Sequence, residues 1–143
     1  MGKRHKAREL ATQILFHMEY TSGEAGDMFD LICANFESPK SNRDFSRELV
    51  FGVCENRKHL DKMIRKASKN WRVERMSRVD RSILRLSAYE LLFMDEIPPK
   101  VTIDEAVELA KKFGTGESSA FINGILDNIF NHMRTENPGS KNA

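Results

Sequence analysis

The stretch SRVDRSILRLSAYELL, residues 77–92, decides the fold class of this chain of 143 residues. Its apolar side chains lie on several sides of the helix that they predict, rather than on one stripe. Ser77 precedes the apolar run, and Asp80 lies three residues after Ser77. This spacing is typical of a capping box at a helix N-terminus. The sequence therefore predicts a buried helix at the centre of the molecule, with Ser77 as its N-cap.

Helical periodicity continues on both sides of this central stretch. Apolar residues recur at the i, i+3, i+4 spacing over residues 7–18, 28–36 and 42–67. Gly52 lies inside the third of these segments and predicts either close packing against a neighbouring helix or a kink. Near Trp71 the periodicity stops, which predicts a junction between two parts of the chain.

The segments after residue 92 carry signals for helix ends. Pro98 and Pro99 predict an extended connector, and Thr102 to Glu105 matches a full capping box. Gly114 predicts a left-handed helix end, and a last helix is predicted to begin near Ser118. No convincing strand pattern and no internal repeat is found.

The fold class is therefore predicted to be all-α. We expect one helical domain over residues 1–134, built from two three-helix-like halves at about 1–70 and 71–134. Residues 135–143 are polar and predict a disordered tail.

Composition excludes several classes of protein. Hydrophobic residues make up 40% and charged residues 31% of the chain, which is typical of a globular domain and not of a disordered or collagen-like one. No apolar run is long enough to cross a membrane. Cys33 and Cys54 are isolated from each other, which favours a reducing compartment over a disulfide scaffold. The sequence predicts a cytoplasmic protein.

Charge is separated into blocks. Residues 1–8 carry four basic side chains and no acidic one, and residues 57–85 carry eleven basic and three acidic side chains. Residues 9–56 and 86–108 are acidic, with net charges of −6 and −5. Solvated helix faces explain such blocks in part, but the pattern also fits a polyanion-binding face beside a separate acidic face.

The sequence offers no catalytic constellation. His5, His17, His59 and His132 are not paired at helical spacing, and no C-x-x-C motif is present. The glycines before Ser118 follow a helix rather than a strand and lack the lysine of a phosphate-binding loop. The sequence therefore predicts a protein that is not an enzyme, with no metal and no cofactor.

Binding of nucleic acid is the better-supported hypothesis. Basic residues would neutralise phosphates, and planar side chains would stack on unpaired bases. Trp71, Phe113 and Phe121 lie at junctions or helix starts, where partial exposure is expected, although each also fits a place in the core. The helix start at Ser118 would add a hydroxyl and backbone N–H groups.

Several long motifs resemble the NusB family of transcription antitermination proteins. They are WRVERMSRVDRSILR at 71–85, AYEL at 88–91, IPPKV at 97–101, DEAVELAKKFG at 104–114 and FINGILD at 121–127. The basic segment from Arg4 to Leu15 is also similar. The resemblance covers the chain to about residue 134.

The resemblance implies an all-helical RNA-binding factor. It implies binding to the boxA element of nascent, notably ribosomal, RNA together with NusE, a small-subunit ribosomal protein, within an antitermination complex of RNA polymerase. The positions that it implies for RNA are Lys3, Arg4, His5, Lys6, Arg8, Phe113, Glu117, Ser118 and Phe121. The positions that it implies for NusE are Phe16 and Asp80.

Three departures from the family pattern concern affinity rather than fold. His5 replaces an arginine of many relatives, so its charge depends on pH. Glu117 stands where an aspartate is typical, and Gly116 lies beside it. Two alternatives also stay open at this point. One is an accessory helical domain of an RNA cytosine methyltransferase system without activity of its own, and the other is a helical protein-interaction module with no role in RNA binding. The resemblance also leaves a homodimer open, because some relatives self-associate.

Overall fold

The computed structural model describes residues 2–19, 27, 40–69 and 71–136, and within them the chain is all-α, as predicted. Five α-helices and one short 3-10 helix lie in these ranges. They are α1 (Gly2–Met18), α2 (Lys40–Ala67), the 3-10 helix Val73–Arg75, α3 (Arg78–Phe93), α4 (Pro99–Phe113) and α5 (Ser118–Glu136). The predicted segment at 28–36 and residues 137–143 of the predicted tail lie outside the described residues, whereas 135 and 136 belong to α5.

Helix α3 lies at the centre, as the opening stretch predicts. It packs against α1, α2, α4 and α5, and its residues from Ser82 to Ala88 are all buried. Ser77 Oγ accepts a hydrogen bond from the backbone N–H of Asp80 at 3.0 Å, which confirms the N-cap. Because α3 contacts helices from both predicted halves, the division near residue 70 stays a prediction.

Gly52 allows close packing between α2 and α3. Helix α2 continues through this residue, and a Cβ built there would lie 2.1 Å from Cζ of Tyr89. Of the two alternatives that the sequence left open, close packing is therefore correct.

Two predicted helix ends are wrong in detail. Helix α4 begins at Pro99 and not at Thr102, because proline fits the first helical position, where no N–H donor is needed. Thr102 is buried instead, and its hydroxyl donates to Glu90 Oε1 at 2.9 Å. Gly114 ends α4 with φ −97° and ψ −165°, an extended rather than a left-handed conformation.

Candidate nucleic-acid interface

The first two turns of α1 present basic side chains to solvent. Lys3, Arg4 and Lys6 are exposed, and the first turn contains no acidic residue. Cations at a helix N-terminus oppose the helix dipole, so they do not serve the stability of α1. The Arg4 guanidinium lies over the Phe45 ring, 4.7 Å from its centroid, which keeps this side chain against the surface of α2.

Arg8 differs from its basic neighbours because it is only 2% exposed. Its Nε and Nη2 donate to Glu90 Oε2 and Oε1 at 2.7 and 2.9 Å, and its Nη1 donates to Glu105 Oε1 at 3.0 Å. The guanidinium faces two carboxylates rather than solvent. This position does not fit the direct phosphate contact that was expected for Arg8.

His5 and Lys112 connect α1 to α4. The His5 ring nitrogens lie 3.1 Å from a carboxylate oxygen of Glu9 and 3.1 Å from one of Glu105. Lys112 Nζ lies 2.9 Å from the same Glu9 oxygen that faces His5. The basic start of α1 and the C-terminal end of α4 are therefore neighbours on the surface.

The segment after α4 places some of its predicted RNA-binding residues at the surface and buries another. Phe113 is half-buried, with Lys112 Nζ 5.6 Å from its ring centroid, and Glu117 is exposed. Ser118 is buried, and its Oγ accepts a hydrogen bond from the Thr115 backbone N–H at 3.0 Å. Its hydroxyl therefore shapes the loop, contrary to the expectation that it faces a ligand.

Phe121 and Trp71 form an aromatic pair at the start of α5. Their ring centroids are 5.7 Å apart and their planes are inclined by 66°. Phe121 is half-buried, whereas Trp71 is 55% exposed. Trp71 is thus the more exposed ring of the pair.

The two positions implied for NusE lie near each other at the other end of α1. Glu19 follows Phe16 by about one turn and accepts a hydrogen bond from Arg81 Nε at 2.6 Å, and Arg81 is the neighbour of Asp80. Asp80 is half-buried, and no group of the described residues forms a hydrogen bond with its Oδ1. The distance along α1 from Arg4 to Phe16 is about 18 Å at the helical rise, so the two sets of predicted positions lie toward opposite ends of this helix.

Sequence reasoning missed the network around Arg8. Its signal was Glu90, a carboxylate within the stretch that is predicted to form the buried central helix. A fully buried carboxylate requires a cation or several hydrogen-bond donors, so Glu90 predicts a buried basic partner. Periodicity did not reveal which of the 23 lysines and arginines fills that role.

The described part of the chain was also searched for metal sites and for helices that could cross a membrane. It contains no group of three or more side chains able to hold a metal ion. None of its helices combines the length and the apolar character that a membrane crossing needs.

Comparisons with known proteins define the class of molecule. The model of the NusB family matches residues 5–131. The transcription antitermination protein NusB of Desulfatibacillum aliphaticivorans is 47% identical to the chain over 141 residues, covering 99% of each. The solved structure of T. maritima NusB superposes with a TM-score of 0.80 at 38% identity and covers 90% of each chain.

A further solved structure contains NusB in an assembly. It is a crystal structure of the antitermination factors NusB and NusE in complex with dsRNA, with a TM-score of 0.83 at 25% identity over 92% of this chain and 98% of that one. The fold and the matches together define an all-α transcription antitermination factor rather than an enzyme, as the sequence predicts. The chain belongs to the NusB family.

Proposed function

We propose that this chain binds single-stranded RNA carrying a boxA element together with NusE, and that the pair helps RNA polymerase to resist premature termination in the cytoplasm. The observation that carries the proposal is that the exposed Lys3, Arg4 and Lys6 lie on the helix end that His5 and Glu9 connect to Lys112, the neighbour of Phe113. We take these residues as one surface. Cations along this surface would neutralise phosphates, and the aromatic ring would meet an unstacked base.

Each predicted RNA residue has a role in this proposal. Lys3, Arg4 and Lys6 contact phosphates, with His5 beside them. Arg8 does not touch RNA but holds the start of α1 through Glu90 and Glu105. Phe113, Glu117 and Phe121 contact bases, and Ser118 holds the loop that carries Glu117.

NusE binds at the separate face around Phe16 and Asp80. Residues 9–56 and 86–108 carry net negative charge, which favours a basic protein over nucleic acid as the partner of the surface that they form, because complementary potentials speed the encounter. The NusB relative solved with NusE and dsRNA supports NusE as the partner and RNA as the class of ligand.

The decisive experiment measures binding to boxA-like and scrambled RNA, with and without NusE, over a range of salt. Replacement of Lys3, Arg4 and Lys6 by Ala is expected to weaken binding to both RNAs. It should reduce the slope of log K against log salt by about 2, since each lost single-strand contact contributes about 0.7.

Substitution of Arg57, Lys58 and Lys62 by Ala provides the matched control, because these exposed cations lie on α2 away from the proposed surface. The control variant is expected to keep the slope of the unmodified chain. Equal slopes for the two triple variants would contradict the placement of the interface. Equal binding to boxA-like and scrambled RNA, with and without NusE, would contradict the proposed function.

A further inference from the structure

The connector between α2 and α3 combines an exposed aromatic ring with exposed cations. Trp71 is 55% exposed, and Lys69, Arg72 and Arg75 beside it are exposed as well. Most large apolar side chains of the described residues are buried, so an exposed tryptophan between cations is unusual. Apolar packing alone does not explain its position.

Buried side chains anchor the backbone of the connector to the core. Val73 and Met76 are buried on the inner side of the segment and fasten it to the core. The Trp71 N–H donates to the Ser68 carbonyl at 3.3 Å, and Lys69 takes up a left-handed φ of 57° to close this turn. The turn therefore presents the Trp71 ring from an anchored segment.

Positive potential surrounds the ring. Glu74 is the acidic residue of this connector, and its pKa lies below the ordinary value. The larger cause is a backbone hydrogen bond within its own residue that favours the carboxylate. The nearby Arg72, Arg65 and Arg81 lower this pKa further. Glu74 thus lies among several guanidinium groups, of which Arg81 also binds Glu19. The net field of the segment attracts anions.

Trp71 also adjoins the RNA surface proposed above. Its ring contacts that of Phe121, which follows the loop bearing Glu117, and that loop follows Phe113 at the end of α4. An RNA strand that leaves Phe121 therefore meets Trp71 next, and then the cations of the connector. Stacked bases and neutralised phosphates are the two interactions by which proteins hold single strands without reading their sequence.

We propose that Trp71, with Lys69, Arg72 and Arg75, forms a second binding segment for the single-stranded RNA that flanks the specific element. Trp71 stacks on a base, and the three cations contact phosphates. This inference rests on the proposed RNA-binding function and extends it beyond the residues implied by the family resemblance. A flexible single strand suits the segment better than an acidic protein, because a base offers a face for the indole ring.

The chain contains one tryptophan, so its intrinsic fluorescence reports on Trp71 alone. The experiment titrates the full chain with the boxA-like RNA and with the same RNA lengthened at its 5′ or 3′ end by a uridine tract of about eight nucleotides. One of the two lengthened RNAs is expected to bind more tightly and to quench the fluorescence beyond the level reached with the short RNA. Identical affinity and identical fluorescence for all three RNAs would overturn the inference.

Variants separate stacking from folding. Trp71→Leu is expected to lose the affinity gained from the extension, about tenfold to hundredfold for one stacked base, while Trp71→Phe retains most of it. Phe93→Leu is the control, because Phe93 is a 46% exposed aromatic residue outside the cationic connector. An equal effect of Trp71→Leu on short and lengthened RNAs would indicate a structural role and refute the second segment.

The cations and the proposed function are tested in the same series. Replacement of Lys69, Arg72 and Arg75 by Gln is expected to reduce the salt slope for the lengthened RNA and to leave that for the short RNA unchanged. Normal binding of the short RNA with no response to its extension refutes only the second segment. Equal binding of boxA-like and scrambled RNA by the unmodified chain would refute the proposed function itself.

Discussion

Arg8 joins α1, α3 and α4 at a single buried point. Its guanidinium donates two hydrogen bonds to Glu90 and a third to Glu105. The Thr102 hydroxyl donates a further hydrogen bond to Glu90. A planar guanidinium can donate these hydrogen bonds to two carboxylates in one arrangement, whereas a lysine ammonium group cannot. The same residue type therefore serves the core at position 8 and the surface at position 4.

Removal of Arg8 is expected to destabilise the fold strongly. Arg8→Ala leaves the Glu90 carboxylate buried without its cation, a change that typically costs about 3–5 kcal/mol. Chemical denaturation monitored by circular dichroism measures the loss of unfolding free energy. Lys6→Ala, at an exposed position of the same helix, is the control and should change stability by less than about 0.5 kcal/mol.

Partial rescue would identify the buried charge as the cause. Glu90→Gln added to the Arg8 variant removes the buried negative charge that Arg8 had neutralised and should recover part of the lost stability. A loss below about 1 kcal/mol for Arg8→Ala would contradict the assigned role.

Cys54 supplies a prediction about pH. Burial raises the pKa of its thiol above the ordinary value, and the nearby Arg57 and Arg85 offset this only in part. In a Cys33→Ser background, alkylation by iodoacetamide should therefore reach half its limiting rate at a higher pH in the folded chain than in the urea-unfolded chain. The raised pKa also makes the free energy of unfolding depend on pH. The contribution of the neutral Cys54 thiol is fully present below the thiol pKa of the unfolded chain, and it is lost as pH rises through the thiol pKa of the folded chain.

An unchanged midpoint of alkylation on unfolding would contradict the raised pKa. Cys54→Ser is the control for labelling elsewhere in the chain and should remove the alkylation signal in the same background.

At the scale of the helices, two glycines that look alike in sequence have opposite roles. Gly52 and Gly124 both lie inside helices. A Cβ at Gly52 would overlap the Tyr89 ring, whereas a Cβ at Gly124 would meet no atom of the described residues within 4 Å. Gly52 serves the contact between α2 and α3, and Gly124 only lowers the helix propensity of α5.

Alanine at the two positions should shift stability in opposite directions. Gly124→Ala is expected to stabilise the chain by up to about 1 kcal/mol, and Gly52→Ala to destabilise it by about 1–3 kcal/mol. Thermal denaturation of the two single variants measures both effects. In a Tyr89→Ala background the cost of Gly52→Ala should shrink, and an unaltered cost would show that Tyr89 is not the obstacle.

For the molecule as a whole, the proposed RNA and NusE faces lie toward opposite ends of α1. A one-to-one complex with NusE would then leave Lys3, Arg4 and Lys6 free for RNA. We expect the pair to bind boxA-like RNA more tightly than the chain alone, and RNA to raise the affinity for NusE by the same factor. Calorimetric titration of each ligand in the presence and absence of the other measures this coupling.

Charge reversal tests whether the faces are separate. Asp80→Lys is expected to weaken the complex with NusE and to leave RNA binding by the isolated chain nearly unchanged. Glu55→Lys, at an exposed position of α2, is the matched control for a change of net charge. Loss of RNA binding by the isolated Asp80→Lys chain would show that the two faces are one.

Local patterns were enough to predict the described helices, because helix formation depends on residues three and four positions apart. The central place of α3 followed from its apolar circumference, and the N-cap at Ser77 from its spacing to Asp80. The start of α4 was misplaced because two local signals, Pro99 and Thr102, competed for the same turn. Tertiary structure resolved this competition by engaging the Thr102 hydroxyl at Glu90.

Composition and motifs also indicated an RNA-binding family member, but not the distribution of its cations between core and surface. Arg8 is buried because its partner Glu90, 82 positions along the chain, faces it in the folded molecule. Trp71 is exposed because Val73 and Met76 take the core positions of its connector. Such outcomes depend on which side chains meet across helices, and no spacing within one helix encodes them. The sequence by itself thus determined helices and family, whereas tertiary packing decided which charged and aromatic residues remain available to a ligand.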